Sequence, residues 1–186
     1  AKKHGFEALM TDKNHTSGTD RVLDVANQKD WQIDEIIINV QGDEPLIDPE
    51  LIRLLAIELQ KKDIDYVTAC SNFENFDDYV NPNNVKVIFN EKGTAIKFYR
   101  EALISNKKYW NSQQYFYHIG LYGYKKKLLD DFCKLPNSTL EKKLKLEQLR
   151  AIENNLPIKV LKYDGKAHKG IDTPEDLVTI QKYLNR

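Results

Sequence analysis

The stretch Ile36-Ile37-Ile38-Asn39-Val40-Gln41-Gly42-Asp43-Glu44-Pro45 sets a short apolar, β-branched run directly ahead of a glycine, two carboxylates and a proline. β-Branched side chains pack well on a pleated surface, and a run that is apolar on both sides of the pleat suits a strand with helices over both sheet faces. Gly42 lets the backbone turn or approach a ligand closely, and Pro45 stops the strand, so Asp43 and Glu44 stand on a constrained loop at its carboxyl end. In α/β sheets that end is where ligands bind.

Outward from this strand, period-2 and buried apolar runs predict six strands, at residues 35–40, 64–70, 85–89, 95–99, 119–124 and 158–163. Helical spacing with start signals predicts helices over residues 18–29, 49–62, 125–134, 139–154 and 174–184. Strands alternating with helices argue for an α/β layered fold. The polar residues 90–93, with Gly93 free to take a left-handed turn, predict a β-hairpin between the third and fourth strands. Residues 107–114 are polar and uneven and predict a surface loop. Residues 1–9 look like the end of a helix running into a strand, and with Ala1 rather than Met in first place the sequence is expected to begin within a domain.

The 186 residues, 41% hydrophobic and 30% charged, are enough for one well-filled core and too few for two comfortable domains. Lys plus Arg and Asp plus Glu number 28 each, so no global field draws nucleic acid or anionic lipid, and charged ligands must be recognised locally. Cys70 and Cys133 stand far apart with no Cys-x-x-Cys, which argues against zinc and against a disulfide framework and fits a reducing cytoplasm. No apolar stretch approaches the roughly 20 residues of a membrane span, and membrane insertion is not expected.

A sparse acidic site is enough for Mg²⁺, which takes one or two protein carboxylates and completes its octahedron with water and phosphate oxygens. Asp43 is the first candidate. Asp172, in Gly170-Ile171-Asp172-Thr173-Pro174-Glu175-Asp176-Leu177, is the second, although an acid ahead of Thr-Pro and two acids in a first turn also make an ordinary helix start. His15-Thr16-Ser17-Gly18-Thr19-Asp20-Arg21 offers hydroxyls and a helix N-terminus that can hold a nucleotide, and equally a Ser-led cap beside an exposed His15. In His118-Ile119-Gly120-Leu121-Tyr122-Gly123-Tyr124, alternation puts His118 and Tyr122 on one face, where they either line a pocket or fill the core. On the helix expected at 139–154, Leu146, Leu149 and Ile152 face the core, while Glu147, Gln148 and Arg150 flank them, with a salt-bridged surface as the plain alternative.

Taken in order, His-x-Ser-Gly-Thr-x-Arg, Asn-Val-Gln-Gly-Asp-Glu-Pro, Asn-Pro-Asn-x-Val-Lys-Val, His-Ile-Gly-Leu-Tyr-Gly-Tyr, Leu-Glu-Gln-Leu-Arg and Asp-Thr-Pro-Glu-Asp-Leu resemble the CMP-KDO synthetases, the 3-deoxy-manno-octulosonate cytidylyltransferases. The resemblance spans the whole chain. It implies a Rossmann-like, GT-A-like nucleotidyltransferase fold with a β-hairpin lobe for dimerisation or sugar binding. It also implies transfer of CMP from CTP to 3-deoxy-D-manno-octulosonate (KDO) with release of pyrophosphate, for lipopolysaccharide synthesis, with Mg²⁺ as cofactor and a homodimer as the assembly. Carried over by position, Asp43 and Asp172 match the metal-binding, catalytic acids, and His15, Ser17 and Gly18 the nucleotide-contacting segment. Gln41, Arg100, His118, Tyr122, Glu147 and Gln148 match residues around the sugar, with Arg100 suited to pair its carboxylate.

Family members open with a strand and a loop of the Arg-Leu-Pro-Gly-Lys type that binds the triphosphate. Nothing here matches it, so residues 1–186 are expected to form a single cytidylyltransferase domain lacking that strand and loop. Two smaller departures are Ile104-Ser105 in place of an Ile-Pro pair and Leu144 where a Glu is common. The competing readings are a cytidylyltransferase for amino-KDO or another nonulosonic acid, and a noncatalytic sugar-binding or assembly partner.

Overall fold

The computed structural model describes every residue except 16, 166–169, 172, 185 and 186. Among the described residues six strands, β1 (Ile36–Val40), β2 (Tyr66–Asn72), β3 (Lys86–Phe89), β4 (Ala95–Tyr99), β5 (Phe116–Lys125) and β6 (Lys159–Lys162), form one sheet in the order β4-β3-β5-β2-β6, with β1 paired to β5 off this path. The long β5 organises it. Along one edge β5 pairs antiparallel with β2, and along the other it pairs first with β3 and then with β1. Among the described residues, only β2 and β6 pair in parallel.

Helices cover both faces, as the apolar run at Ile36–Val40 predicts. On one face α2 (Pro49–Leu59) sets Leu51, Leu55 and Leu59 against Val67, Ala69, Ile119 and Leu121, with Ile36 and Ile38 beside them. The other face carries α1 (Gly18–Gln28), α4 (Lys126–Phe132) and α6 (Gln148–Glu153), whose Ala26, Leu128, Leu129, Leu149 and Ala151 pack with Ile37, Tyr66, Cys70 and Tyr124. Tyr66, Val67, Ala69 and Cys70 thus divide between the two faces by the period of 2 that a strand imposes. Gly123 leaves room for its neighbours on α2 and β2: a Cβ there would stand 2.7 Å from Leu59 Cδ1 and 2.8 Å from Val67 Cγ1.

The expected hairpin is present. Asn90 accepts the Gly93 N–H, Gly93 has φ +75°, and β3 pairs with β4 from Lys86–Tyr99 to Phe89–Ala95. The hairpin folds back until Thr94 bridges Lys159 and the Val160 N–H donates to the Gly93 carbonyl, so the two ends of the sheet meet.

The structure departs from three sequence expectations. The helix expected over 139–154 is two, α5 (Thr139–Leu144) and α6, because Lys145 turns left-handed at φ +53°. Residues 76–80 form a helix that periodicity did not reveal, α3 (Phe76–Val80), started by the Asn75 cap on the Asp78 N–H. Residues 1–9 hold a 3₁₀ turn at Lys2–His4 and no strand. The last helix, α7 (Pro174–Leu184), starts where Thr173 and Pro174 predict it. Among the described residues, no helix is long and apolar enough to cross a membrane. Cys70 and Cys133 are free thiols, and burial pushes both up to about 12, which keeps them protonated near pH 7.

Candidate active site

The segment after β1 comes beside the N-terminus of α1. Ser17 caps α1 by accepting the Asp20 N–H at 3.1 Å, and a Cβ at Gly18 would lie 4.0 Å from Gln41 Oε1. The Gln41 amide therefore stands over the first turn of α1, where free backbone N–H groups favour an anion. Beyond Gln41 the chain turns on two backbone bonds, Glu44 N–H to Gln41 and Ile47 N–H to Glu44. This turn separates the two carboxylates: Asp43 is exposed and Glu44 is buried.

Strand β5 supplies further residues. Its pairing with β2 shifts between Thr68 and Ala69, whose partners are Tyr122 and Ile119. The two inserted residues are an even number, so the alternation survives and His118 and Tyr122 do share a face, with ring centroids 5.4 Å apart. Tyr122 donates its hydroxyl to Gln148 Oε1 at 3.3 Å. Burial raises the Tyr122 phenol well above its ordinary range, with further upward contributions from Tyr124, Glu147, Glu44 and Asp43, so it stays a neutral donor.

His118 is buried, with Nε2 at 2.8 Å from the Thr68 hydroxyl and the Phe98 ring edge-on at 5.0 Å. Desolvation pushes it down to about 3, so it is neutral at physiological pH. A histidine held this way orients and packs; it does not shuttle protons near pH 7.

Glu147 closes the network. Burial raises its carboxyl, and hydrogen bonds from Ser17 and Thr19 oppose the rise. Its Oε1 has no hydrogen-bond partner among the described residues and lies 3.9 Å from the Arg150 guanidinium. The Thr19 hydroxyl reaches on to Tyr124 at 3.4 Å. Ser17 and Glu147, and Tyr122 and Gln148, thus join by hydrogen bonds, with Gln41 beside Gly18 and His118 beside Tyr122.

Two of the expected residues point elsewhere. His15 Nε2 pairs with Asp24 at 2.8 Å and lines a cavity of about 540 Å³ between α1 and α4, with Asp12, Asp20, Leu23, Asn27 and Cys133. Arg100 donates Nε to the Leu144 carbonyl at 2.8 Å, and its other nitrogens lie 3.3–3.4 Å from the carbonyls of Pro82, Asn83 and Lys145. It clamps the turn that leads to Glu147 and Gln148. Asp172 lies outside the described residues, but Ile171, just before it, donates its N–H to the Asp43 carbonyl at 2.8 Å.

Thr19, Thr68 and Tyr124 belong to this network without having been singled out in the sequence. Thr19 and Tyr124 stood inside quoted motifs. Thr68 carries no local signal, because its partner is 50 residues away. Among the described residues, no group of three or more His, Cys, Asp or Glu gathers to hold a metal. The exposed Asp43 carboxylate is a hard oxygen donor of the kind that Mg²⁺ shares with substrate phosphates.

A cytidylyltransferase family model matches residues 1–162. The 3-deoxy-manno-octulosonate cytidylyltransferase of Thermodesulfovibrio yellowstonii is 43% identical, over 97% of this chain and 74% of that protein. The enzyme of the same name from Nitratiruptor is 40% identical, over 97% and 76%. Among solved structures, a CMP:2-keto-3-deoxy-manno-octonic acid synthetase complexed with CTP superposes with a TM-score of 0.86 at 29% identity, covering 99% of this chain and 74% of that one.

Proposed function

We propose, since this chain belongs to the cytidylyltransferase family and within it to the 3-deoxy-manno-octulosonate cytidylyltransferases, that it transfers CMP from CTP to KDO. The anomeric hydroxyl of the sugar attacks the α-phosphorus, the new oxygen–phosphorus bond replaces the one to pyrophosphate, and the hydroxyl proton leaves to solvent. The observation that carries this reading is Gln41 set beside Gly18 at the N-terminus of α1, with Tyr122 bonded to Gln148, in a chain of this descent.

Each group has a task that its setting supports. The first turn of α1 offers backbone N–H groups to the nucleotide, and Gln41 stands between it and the sugar. Tyr122 and Gln148 are amphoteric or neutral hydrogen-bonders suited to sugar hydroxyls, with Glu147 behind them. Arg100 acts by holding the 144–145 turn, and turning its fork toward the sugar carboxylate would require release of the carbonyls it now holds. Asp43, with Asp172 as the second acid the resemblance implies, would hold Mg²⁺. When bound, that ion neutralises phosphate charge and aligns the attack.

A cytoplasmic homodimer serving lipopolysaccharide synthesis completes the proposal. Ile96 on β4, 55% exposed, gives the hairpin an apolar contact point for such a dimer. The test is product identity. The protein as its gene encodes it, given CTP, Mg²⁺ and in turn KDO, amino-KDO or another nonulosonic acid, is expected to form CMP-KDO with kcat/KM at least about tenfold above the others, the discrimination that one mismatched polar group produces. Preference for the amino sugar would move the assignment to that substrate, and failure to form any CMP-sugar would favour the noncatalytic reading.

A further inference from the structure

Glu44 is 8% exposed although it follows the exposed Asp43 directly on a surface loop. A carboxylate leaves water only where its surroundings offset the loss, so its burial needs a structural reason. Its Oε1 lies 3.0 Å from where a Cβ at Gly120 would stand and 3.1 Å from where one at Gly170 would stand. The carboxylate therefore occupies a slot walled by bare backbone from two distant parts of the chain, the irregular stretch of β5 and the approach to α7.

The same two walls hold the peptide that carries Asp43. A Cβ at Gly170 would also stand 3.2 Å from the Asp43 carbonyl oxygen, and Ile171 donates its N–H to that oxygen at 2.8 Å. On the other side the Glu44 N–H donates to the Gln41 carbonyl, and Gln41 Cγ packs 3.8 Å from the Cβ position of Gly120.

We propose that Glu44 is a positioning residue: wedged between Gly120 and Gly170, its side chain fixes the backbone from which Asp43 presents its carboxylate to a divalent cation. This rests on the reading of Asp43 as a metal-binding acid. It also gives glycine at 120 and 170 a role, since a methyl group at either would press on the carboxylate.

Two readouts test it in Glu44→Ala, Glu44→Gln and Gly170→Ala: hydrogen exchange of the Ile171 amide in metal-free protein, and the Mn²⁺ concentration that half-saturates the protein with CTP present, read from the free-Mn²⁺ paramagnetic signal. Glu44→Ala and Gly170→Ala are each expected to speed Ile171 exchange and raise the Mn²⁺ midpoint about tenfold, as loss of groups that orient metal ligands does. Glu44→Gln, of the same shape, recovers most of both. If Glu44→Ala does not fold, Gly120→Ala, whose added methyl group meets Glu44 and Gln41 first, carries the same readouts with Glu44 in place. A fall in thermal midpoint with exchange and Mn²⁺ midpoint unchanged would overturn the proposal. Faster exchange in a protein whose wild type binds no Mn²⁺ would overturn the metal reading of Asp43, and the proposal with it.

Discussion

Because the Thr68 hydroxyl gives its single proton to the Leu121 carbonyl at 2.8 Å, it can only accept from His118, which places the ring proton on Nε2. A neutral, one-tautomer histidine is a pH liability. The unfolded ring takes a proton near 6.5, whereas the buried ring resists until about 3. Between those values the unfolded state binds the extra proton, so stability is lost as pH falls from about 6.5 toward 3. Urea unfolding at stepped pH is expected to show His118→Gln losing stability less steeply over that window, by up to about 1.4 kcal/mol per pH unit. Glu147 has the opposite sign. Its raised carboxyl is best tolerated protonated, so its stabilising balance is present at low pH and lost as pH rises through the folded value. Glu147→Gln should therefore melt higher than wild type at pH 7, with the gain shrinking as pH falls, while the KM for the sugar rises. The shared face of His118 and Tyr122 was legible from alternation alone; the Thr68 partnership was not, because nothing local encodes a contact across strands.

At the scale of elements, the break between α5 and α6 shows where periodicity misleads. Leu146, Leu149 and Ile152 do recur at helical spacing and do pack inward, as expected. The helix nonetheless stops at Leu144, with Ser138 and Glu141 forming a reciprocal cap at the start of α5 and Lys145 turning left-handed at its end. The turn lets Glu141 reach Arg150. Arg150 is not the solvated flank of a helix: its side chain is 1% exposed, its Nε donates to Glu141 Oε2 at 3.0 Å, and its guanidinium lies 4.7 Å over the Phe132 ring. Removing one partner leaves a buried charge, so Glu141→Ala is expected to cost about 3–5 kcal/mol in denaturant unfolding. The double variant Glu141→Leu with Arg150→Met should recover most of that, which a purely local helix defect at Glu141 would not allow. The Arg of the Leu-Glu-Gln-Leu-Arg motif is thus an anchor for its neighbours Glu147 and Gln148, a role that sequence spacing cannot separate from substrate contact.

Over the whole molecule, the six strands seen among the described residues, the helices on both faces and the hairpin followed from apolar runs, start signals and Gly93. The order of strands did not, because pairing of β5 with β1, β2 and β3 depends on contacts far apart in sequence. The same limit governed the site. Motifs bounded by glycine and proline located the candidate site, whereas the direction of long side chains such as Arg100 depends on which carbonyls the fold brings near. On the proposed function, CMP moves from CTP to KDO with Asp43 holding the metal. The most direct test of this is Mg²⁺-dependent pyrophosphate release from CTP with and without KDO, in wild type and in Asp43→Asn, each shown to be folded. KDO-dependent release in wild type, reduced at least about 100-fold in Asp43→Asn, is the predicted result, in keeping with loss of a group that stabilises developing charge. Release that ignores KDO, or survives Asp43→Asn unchanged, would contradict the account.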